Sequence, residues 1–253
     1  MAIEYVGGKI TAIAPSLSGG TITLDQLTGG IAAVPSPGDI VIANYAIASA
    51  SDRDPTPTIT GPGTTYTNYR LGRNSLDTLD IEIMGWWGFM NDPVDAYLSY
   101  SSTENINDAG VVSIQVFRGC TTPNAAHDNS ASGTNTFLSN PAIATNAAAG
   151  NIAVVAGAGV SAIGGTFSSP DLEDFLAINS PGTNDCMLGV GWHTNDSGPF
   201  NAGVFTQAGG TDSTNNANVS INITLVPGSY TPLQLNPGMT AARKAVVTRR
   251  RRR

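Results

Sequence analysis

Two cysteines and two histidines are all that 253 residues offer for thiol or imidazole chemistry. Cys120 and Cys186 stand too far apart in sequence for a CxxC motif, so metal-ribbon and thioredoxin-like redox classes are excluded. Two buried free thiols are the expectation, with a single bridge the alternative. His127 and His193 are isolated, and no HExxH or Gly-x-Ser-x-Gly motif accompanies them. Charge is scarce as well. Asp, Glu, Lys and Arg make up 12% of the chain, about half the usual share. Helices laced with Glu–Lys pairs are therefore disfavoured. No apolar run approaches the roughly 18 residues of a membrane helix. The opening residues lack a basic segment followed by an apolar one, so no signal peptide is read there. The expectation is a soluble protein made in the cytoplasm, without membrane contact.

What is present is strand pattern and turn chemistry. Gly, Ala, Ser, Thr and Asn carry the surface, and short β-rich segments recur between Gly/Pro/Asn turns. Lys9–Pro15 and Gly20–Leu27 read as an opening hairpin. Asp39–Ala48 is a nearly continuous apolar run, rich in β-branched residues, as expected of a strand buried on both faces. Thr64–Leu71, Val94–Tyr100, Val111–Phe117, Asn151–Ala156, Cys186–His193 and Gly203–Gln207 follow as strands. Leu79, Ile81 and Ile83 alternate with Asp80 and Glu82, which predicts one dry face and one wet one. Val219, Ile221, Ile223 and Leu225 alternate most cleanly, and Pro227-Gly228 stops them. Ser169–Leu176 carries a Ser cap, a Pro at the first helical position and early acids, the signature of a helical turn. Thr121–Gly150 is rich in Gly, Ala, Ser and Asn and is the largest candidate insertion, an exposed loop or a seam. No fixed-period repeat is visible. The fold class is all-β: about a dozen strands in a β-sandwich, jelly-roll or immunoglobulin-like, over residues 1–229. An extended basic C-terminal arm follows over residues 230–253.

That arm concentrates the positive charge. Arg243, Lys244, Arg249, Arg250, Arg251, Arg252 and Arg253 are seven of the twelve basic residues. The remaining five face all nineteen carboxylates, which leaves the body near −14. Guanidinium clusters bind carboxylates and phosphates through planar forks of donors. Three partners fit: an acidic protein, an acidic groove on another copy of the chain, or nucleic acid. The ordinary alternative is a solvated tail. The acidic body repels phosphate, so nucleic-acid contact is confined to the arm. Val246 and Val247 add apolar contacts to the docking set.

No catalytic residue, cofactor or metal site is expected. His127 and His193 read as solvated or turn-capping. Asp80 with Glu82, or Glu173 with Asp174, could form a glycosidase pair, but a wet strand face beside two core tryptophans is the favoured reading of the first pair. Trp86, Trp87, Tyr97 and Tyr100 are a candidate carbohydrate platform, with core packing as the ordinary reading. Asp52–Pro55 and Asn105–Asp108 are oxygen-rich turns that need no calcium to explain them.

Several segments together carry a resemblance. They are Met1-Ala-Ile-Glu-Tyr-Val-Gly-Gly8, Leu27-Thr-Gly-Gly-Ile-Ala32, Pro37-Gly-Asp-Ile-Val-Ile-Ala43, Val116-Phe-Arg-Gly119 and Asn222-Ile-Thr-Leu225. They resemble a loosely characterised family of β-rich virion proteins of tailed bacteriophages, over most of residues 1–226. The resemblance implies a non-enzymatic virion component, of capsid-decoration or appendage type. Its partners would be a major capsid protein, another virion protein or copies of itself. It carries over no catalytic residues, and the basic arm after Tyr230 lies outside it.

Overall fold

The computed structural model describes residues 2–13, 19–49, 56–76, 79–102, 109–133, 137–138, 149–161, 166–168, 172–180, 185–195, 205–208, 216–228 and 230. All regular structure among them is strand. The first eight are β1 (Glu4–Ile13), β2 (Gly19–Thr23), β3 (Ile40–Ser49), β4 (Pro57–Thr60), β5 (Thr67–Leu76), β6 (Leu79–Phe89), β7 (Tyr97–Ser102) and β8 (Ala109–Arg118). The next eight are β9 (Asn124–Gly133), β10 (Phe137–Leu138), β11 (Ile152–Ser161), β12 (Thr166–Ser168), β13 (Glu173–Ser180), β14 (Asp185–Thr194), β15 (Phe205–Ala208) and β16 (Asn216–Leu225).

Every pairing is antiparallel. The first eight strands make a five-stranded sheet, β1-β8-β3-β6-β5, and a three-stranded one, β2-β7-β4. The last eight make β9-β16-β11-β14-β13 and β10-β15-β12. Adding eight to each label of the first half generates the second, so the chain is a structural duplication. The irregularities repeat too. Thr67 to Arg70 on β5 spans Trp87 to Gly85 on β6, one residue too many. Glu173 to Leu176 on β13 spans Trp192 to Val190 on β14 in the same way. The β1–β8 ladder bulges between Tyr5 and Gly7, opposite Phe117 and Val116. The β9–β16 ladder bulges between Asn124 and Ala126, opposite Thr224 and Ile223. Gly38 and Gly150 precede the central strands with φ of 87° and 86°, a left-handed conformation that glycine adopts without steric cost. Their amides bond Met90 O and Asn195 O, each at 2.9 Å.

The two five-stranded sheets pack face to face. Ala46, Ala48, Ile81, Ile83 and Val111 from one share a buried cluster with Ala156, Ala158, Val160, Leu188, Val190, Val219 and Ile221 from the other. The other face of β3 carries Val41, Ala43, Tyr45 and Ile47, packed with Ile22, Ile59, Leu98 and Tyr100 of the three-stranded sheet. The central strand β3 is thus buried on both sides, which is why its run is continuously apolar.

Several sequence expectations are corrected here. The opening segments do not pair: β1 joins β8 and β2 joins β7, because the strands exchange between sheets. Asp80 and Glu82 are not on a wet face. They are 6% and 2% exposed, since β6 lies inside a sheet covered on both sides. Arg73 compensates Glu82 across the ladder, with Nη2 donating to Oε2 at 2.8 Å and Nε at 3.2 Å. The segment ending at Leu176 is not a helical turn among its described residues: β13 starts at Glu173. Thr121–Gly150 is no plain insertion either, since β9 completes the second large sheet. Residues 1–229, read as one sandwich, hold two equivalent halves.

Candidate functional site

Trp87 and Phe89 stand two residues apart on β6 and therefore share a face, the one that turns toward the second half. Their rings meet edge to face, with centroids 5.8 Å apart. Phe89 is buried, and Trp87 is half-exposed. A third ring arrives from the far end of the chain. Tyr230 stacks on Phe89 with centroids 3.9 Å apart and an interplanar angle of 6°.

Backbone geometry puts Tyr230 there. After β16, Val226 O accepts from Thr121 N at 3.0 Å, and Gly228 N donates to Gly119 O at 2.8 Å. Cys120 and Pro227 form an isolated bridge between these bonds. The segment that links the two halves thus clamps the segment that leaves the second half. Gly228 is required at this crossing, because a Cβ there would run into the Thr121 side chain.

The three rings, with Thr65, Thr67, Asn91 and Thr122, line an open cleft of about 300 Å³. None of the seven is charged. Asn91 is fixed by its Nδ2, which donates to Gly63 O at 2.8 Å. Beyond Tyr230 lies a smaller cavity of about 160 Å³, lined by Pro37, Gly38, Asp39, Arg118, Gly119 and Gly228 as well. Its charges cancel. Arg118 Nε donates to Asp39 Oδ1 at 2.8 Å and Nη2 to Oδ2 at 2.9 Å. Asp39 is 1% exposed and also accepts from Ser36 N at 2.7 Å. The bond to Asp39 raises the Arg118 pKa above its ordinary value.

The sequence-predicted aromatic platform is not formed. Trp86 is 6% exposed and packs into the core under the three-stranded sheet, on the face opposite Trp87. Tyr100 is 8% exposed and meets Tyr45 edge to face at 5.6 Å. Tyr97 is 40% exposed on β7, where the strand alternation turns it away from the buried Leu98. Adjacent residues on a strand point to opposite faces, so only Trp87 of the four reaches the cleft. Phe89 was legible from that same alternation. Tyr230, Thr65, Thr67, Asn91 and Thr122 were not, because long-range closure brings them in.

The remaining candidates do not converge. His127 lies on β9 and His193 on β14, with β16 and β11 between them. Glu173 and Asp174 are exposed at the β13 bulge. Among the described residues no group of three or more His, Cys, Asp and Glu could hold a metal ion, and no helix is long and apolar enough to cross a membrane. Both cysteines are free and buried. Burial, aided by the Asp39 charge, pushes the Cys120 thiol up to about 12. Asp52–Pro55, Asn105–Asp108 and the arm residues Arg243, Lys244, Val246, Val247 and Arg249–Arg253 lie outside the described residues. Compared with protein-family models, curated proteins and solved structures, the chain matches none.

Proposed function

We propose that this chain is a non-enzymatic structural protein of a tailed-bacteriophage virion, a capsid decoration or cement protein built from two jelly rolls in tandem. The observation that carries the reading is the repeated strand order. Strands 1-8-3-6 in one sheet and 2-7-4 in the other follow the double Greek-key winding of a jelly roll, a fold common in capsid and lectin domains. The fifth strand extends the large sheet instead of the small one. The family resemblance over residues 1–226 points the same way.

In this reading the arm docks. Tyr230, which precedes its basic residues in sequence, is stacked on Phe89. Arg243, Lys244 and Arg249–Arg253 form charge-assisted hydrogen bonds to acidic groups of a major capsid protein or a neighbouring copy. Leu233, Leu235, Val246 and Val247 add apolar contact. Ordering such an arm costs conformational entropy, so firm attachment relies on many copies acting together. Deleting Met239–Arg253 tests this. The truncated protein folds with an unchanged circular-dichroism spectrum and no longer joins particles. Normal incorporation of the truncation would sink the docking role.

A second reading, a tail-fibre or receptor-binding appendage that recognises host carbohydrate, is favoured by the aromatic cleft. Copy number separates the two. Cryo-EM of whole particles shows many copies over an icosahedral shell for decoration, and few copies at a tail tip or vertex for an appendage.

A further inference from the structure

We infer that the cleft between Trp87 and Tyr230 is a binding site for a neutral, uncharged saccharide. The inference stands on the cleft and holds for either place in a virion, so particle incorporation and sugar binding fail independently.

Three features of the cleft select the ligand. The first is its aromatic wall. Phe89 is buried beneath Tyr230, so the ring faces left open to a ligand are those of Trp87 and Tyr230. An aromatic face is electron-rich and attracts the polarised C–H groups of one side of a pyranose. The second is the polar set. Thr65, Thr67 and Thr122 are exposed hydroxyls, and Asn91 is a carboxamide already held in place by Gly63. Each hydroxyl and the carboxamide can both donate and accept, which suits vicinal sugar hydroxyls that do the same. The third is charge. Among the described residues no lining side chain is ionic, and Arg118, on the smaller cavity beyond Tyr230, is paired with Asp39. The described lining gives the charge of a sialylated, sulfated or phosphorylated sugar no ionic partner, so desolvating that charge goes uncompensated there. A volume of about 300 Å³ stands at the lower end of small-molecule sites, enough for one or two sugar rings and open at the ends for a longer chain.

The site is also well supported from below. Trp87 is fixed by the β3–β6 and β5–β6 ladders, opposite Ile42 and Thr67. Tyr230 is fixed by the crossing of residues 119–121 with 226–228. The two walls come from opposite ends of the sequence, so the cleft exists only when both halves are assembled. Ordering costs on binding are correspondingly small.

The full-length protein titrated with neutral gluco-, galacto-, manno- and N-acetylglucosamine oligosaccharides is the direct test. Sialyllactose serves as the charged control and a proline-rich peptide as the competing ligand for an aromatic groove. Tryptophan emission reads the Trp87 environment, and calorimetry gives the affinity. At least one neutral series is expected to bind and to shift the emission, with sialyllactose silent. Tyr230→Ala removes a ring without touching a strand and is expected to weaken binding about tenfold, while Tyr230→Phe stays within about threefold of wild type. Thr67→Val keeps the side-chain shape, loses one hydroxyl, and is expected to weaken binding about fivefold. The proposal is overturned if no neutral series binds the folded protein, if only the charged sugar or the peptide binds, or if Tyr230→Ala and Thr67→Val both leave the affinity unchanged.

Discussion

Leu188→Ala is the substitution that best probes how the two halves depend on one another. Leu188 is fully buried on β14, in the cluster that both five-stranded sheets share. Truncation removes three carbons, and at about 0.8 kcal/mol per buried methylene the transfer loss alone is about 2.4 kcal/mol. A cavity adds to this, in proportion to how little the surroundings relax. Relaxation is restricted here. Ala46, Ala48, Ala156 and Ala158 in the same cluster have no atoms beyond Cβ to swing into the gap, and β3 and β11 are each paired on both sides along their lengths. The cost therefore falls in the upper part of the Leu→Ala range, at about 4 kcal/mol. Urea unfolding with Trp86 as the sole tryptophan, on a Trp87→Phe, Trp192→Phe background, reads the loss from the other half of the molecule. Trp86 packs under the first three-stranded sheet, away from the shared face. With a slope of about 2.5 kcal/mol/M in urea, its midpoint should fall by about 1.6 M. A Trp86 transition that does not move, while one reported by Trp192 on the converse Trp86→Phe, Trp87→Phe background does, would refute the shared core and make the halves independent units.

The other predictions probe single contacts. Arg118→Ala strands a carboxylate that is 1% exposed. Breaking such a pair costs about 3–5 kcal/mol when both partners are buried, and the partly open guanidinium lowers this to about 2–3 kcal/mol. Arg118→Lys should restore only part of it, because an ammonium cannot span both oxygens, and a loss of unfolding free energy under about 0.5 kcal/mol for Arg118→Ala, read from urea unfolding, would contradict the assignment. Gly72→Ala would place a Cβ 2.6 Å from Val219 Cγ2 and 3.0 Å from Ile221 Cγ2, forcing the large sheets apart at about 1–3 kcal/mol, measurable as a lower melting temperature. Cys120 and Cys186 should both resist a thiol reagent at pH 8 in the native state and react fully in denaturant. The Cys120 thiol is raised from 9.0 to about 12, so its contribution to stability is intact below about pH 9 and is lost as pH climbs toward 12. Urea midpoints that hold steady over that interval would argue against the burial of this thiol.

The duplication shows why the sequence was an incomplete guide. Its traces are few: Gly38-Asp-Ile40 matches Gly150-Asn-Ile152, and Phe117 stands opposite Ile40 as Leu225 stands opposite Ile152. The Gly38/Gly150 pair is 112 residues apart and the Phe117/Leu225 pair 108, so segments of unequal length destroy any fixed period. Backbone pairing tolerates that drift, because register depends on which faces are buried and not on spacing along the chain. Asp80 and Glu82 misled for a related reason. Alternation reports that one face differs from the other, and here the polar face is buried too, with Arg73 opposite Glu82 on β5. The sequence reading reached the cleft only at Trp87, which it grouped with Trp86, Tyr97 and Tyr100, whereas alternation puts Phe89 on its face, and nothing local connects either with Tyr230.

By itself the sequence determined the local matters. Strand periodicity set the all-β class, the continuous apolar run of Asp39–Ala48 marked the central strand, and the isolation of Cys120 from Cys186 removed a CxxC site. The separation of an acidic body from a basic end is likewise a matter of composition. Only the tertiary structure decided which strands pair, that one eight-strand order occurs twice, which of two adjacent tryptophans meets solvent, and which ring from the far end of the chain stacks beside it. The physical reason is range. Side-chain alternation and turn chemistry act within a few residues, whereas β1–β8 pairing, the packing of one large sheet on the other and the Phe89–Tyr230 stack join residues about 100 or more apart, where burial and not propensity selects the partner.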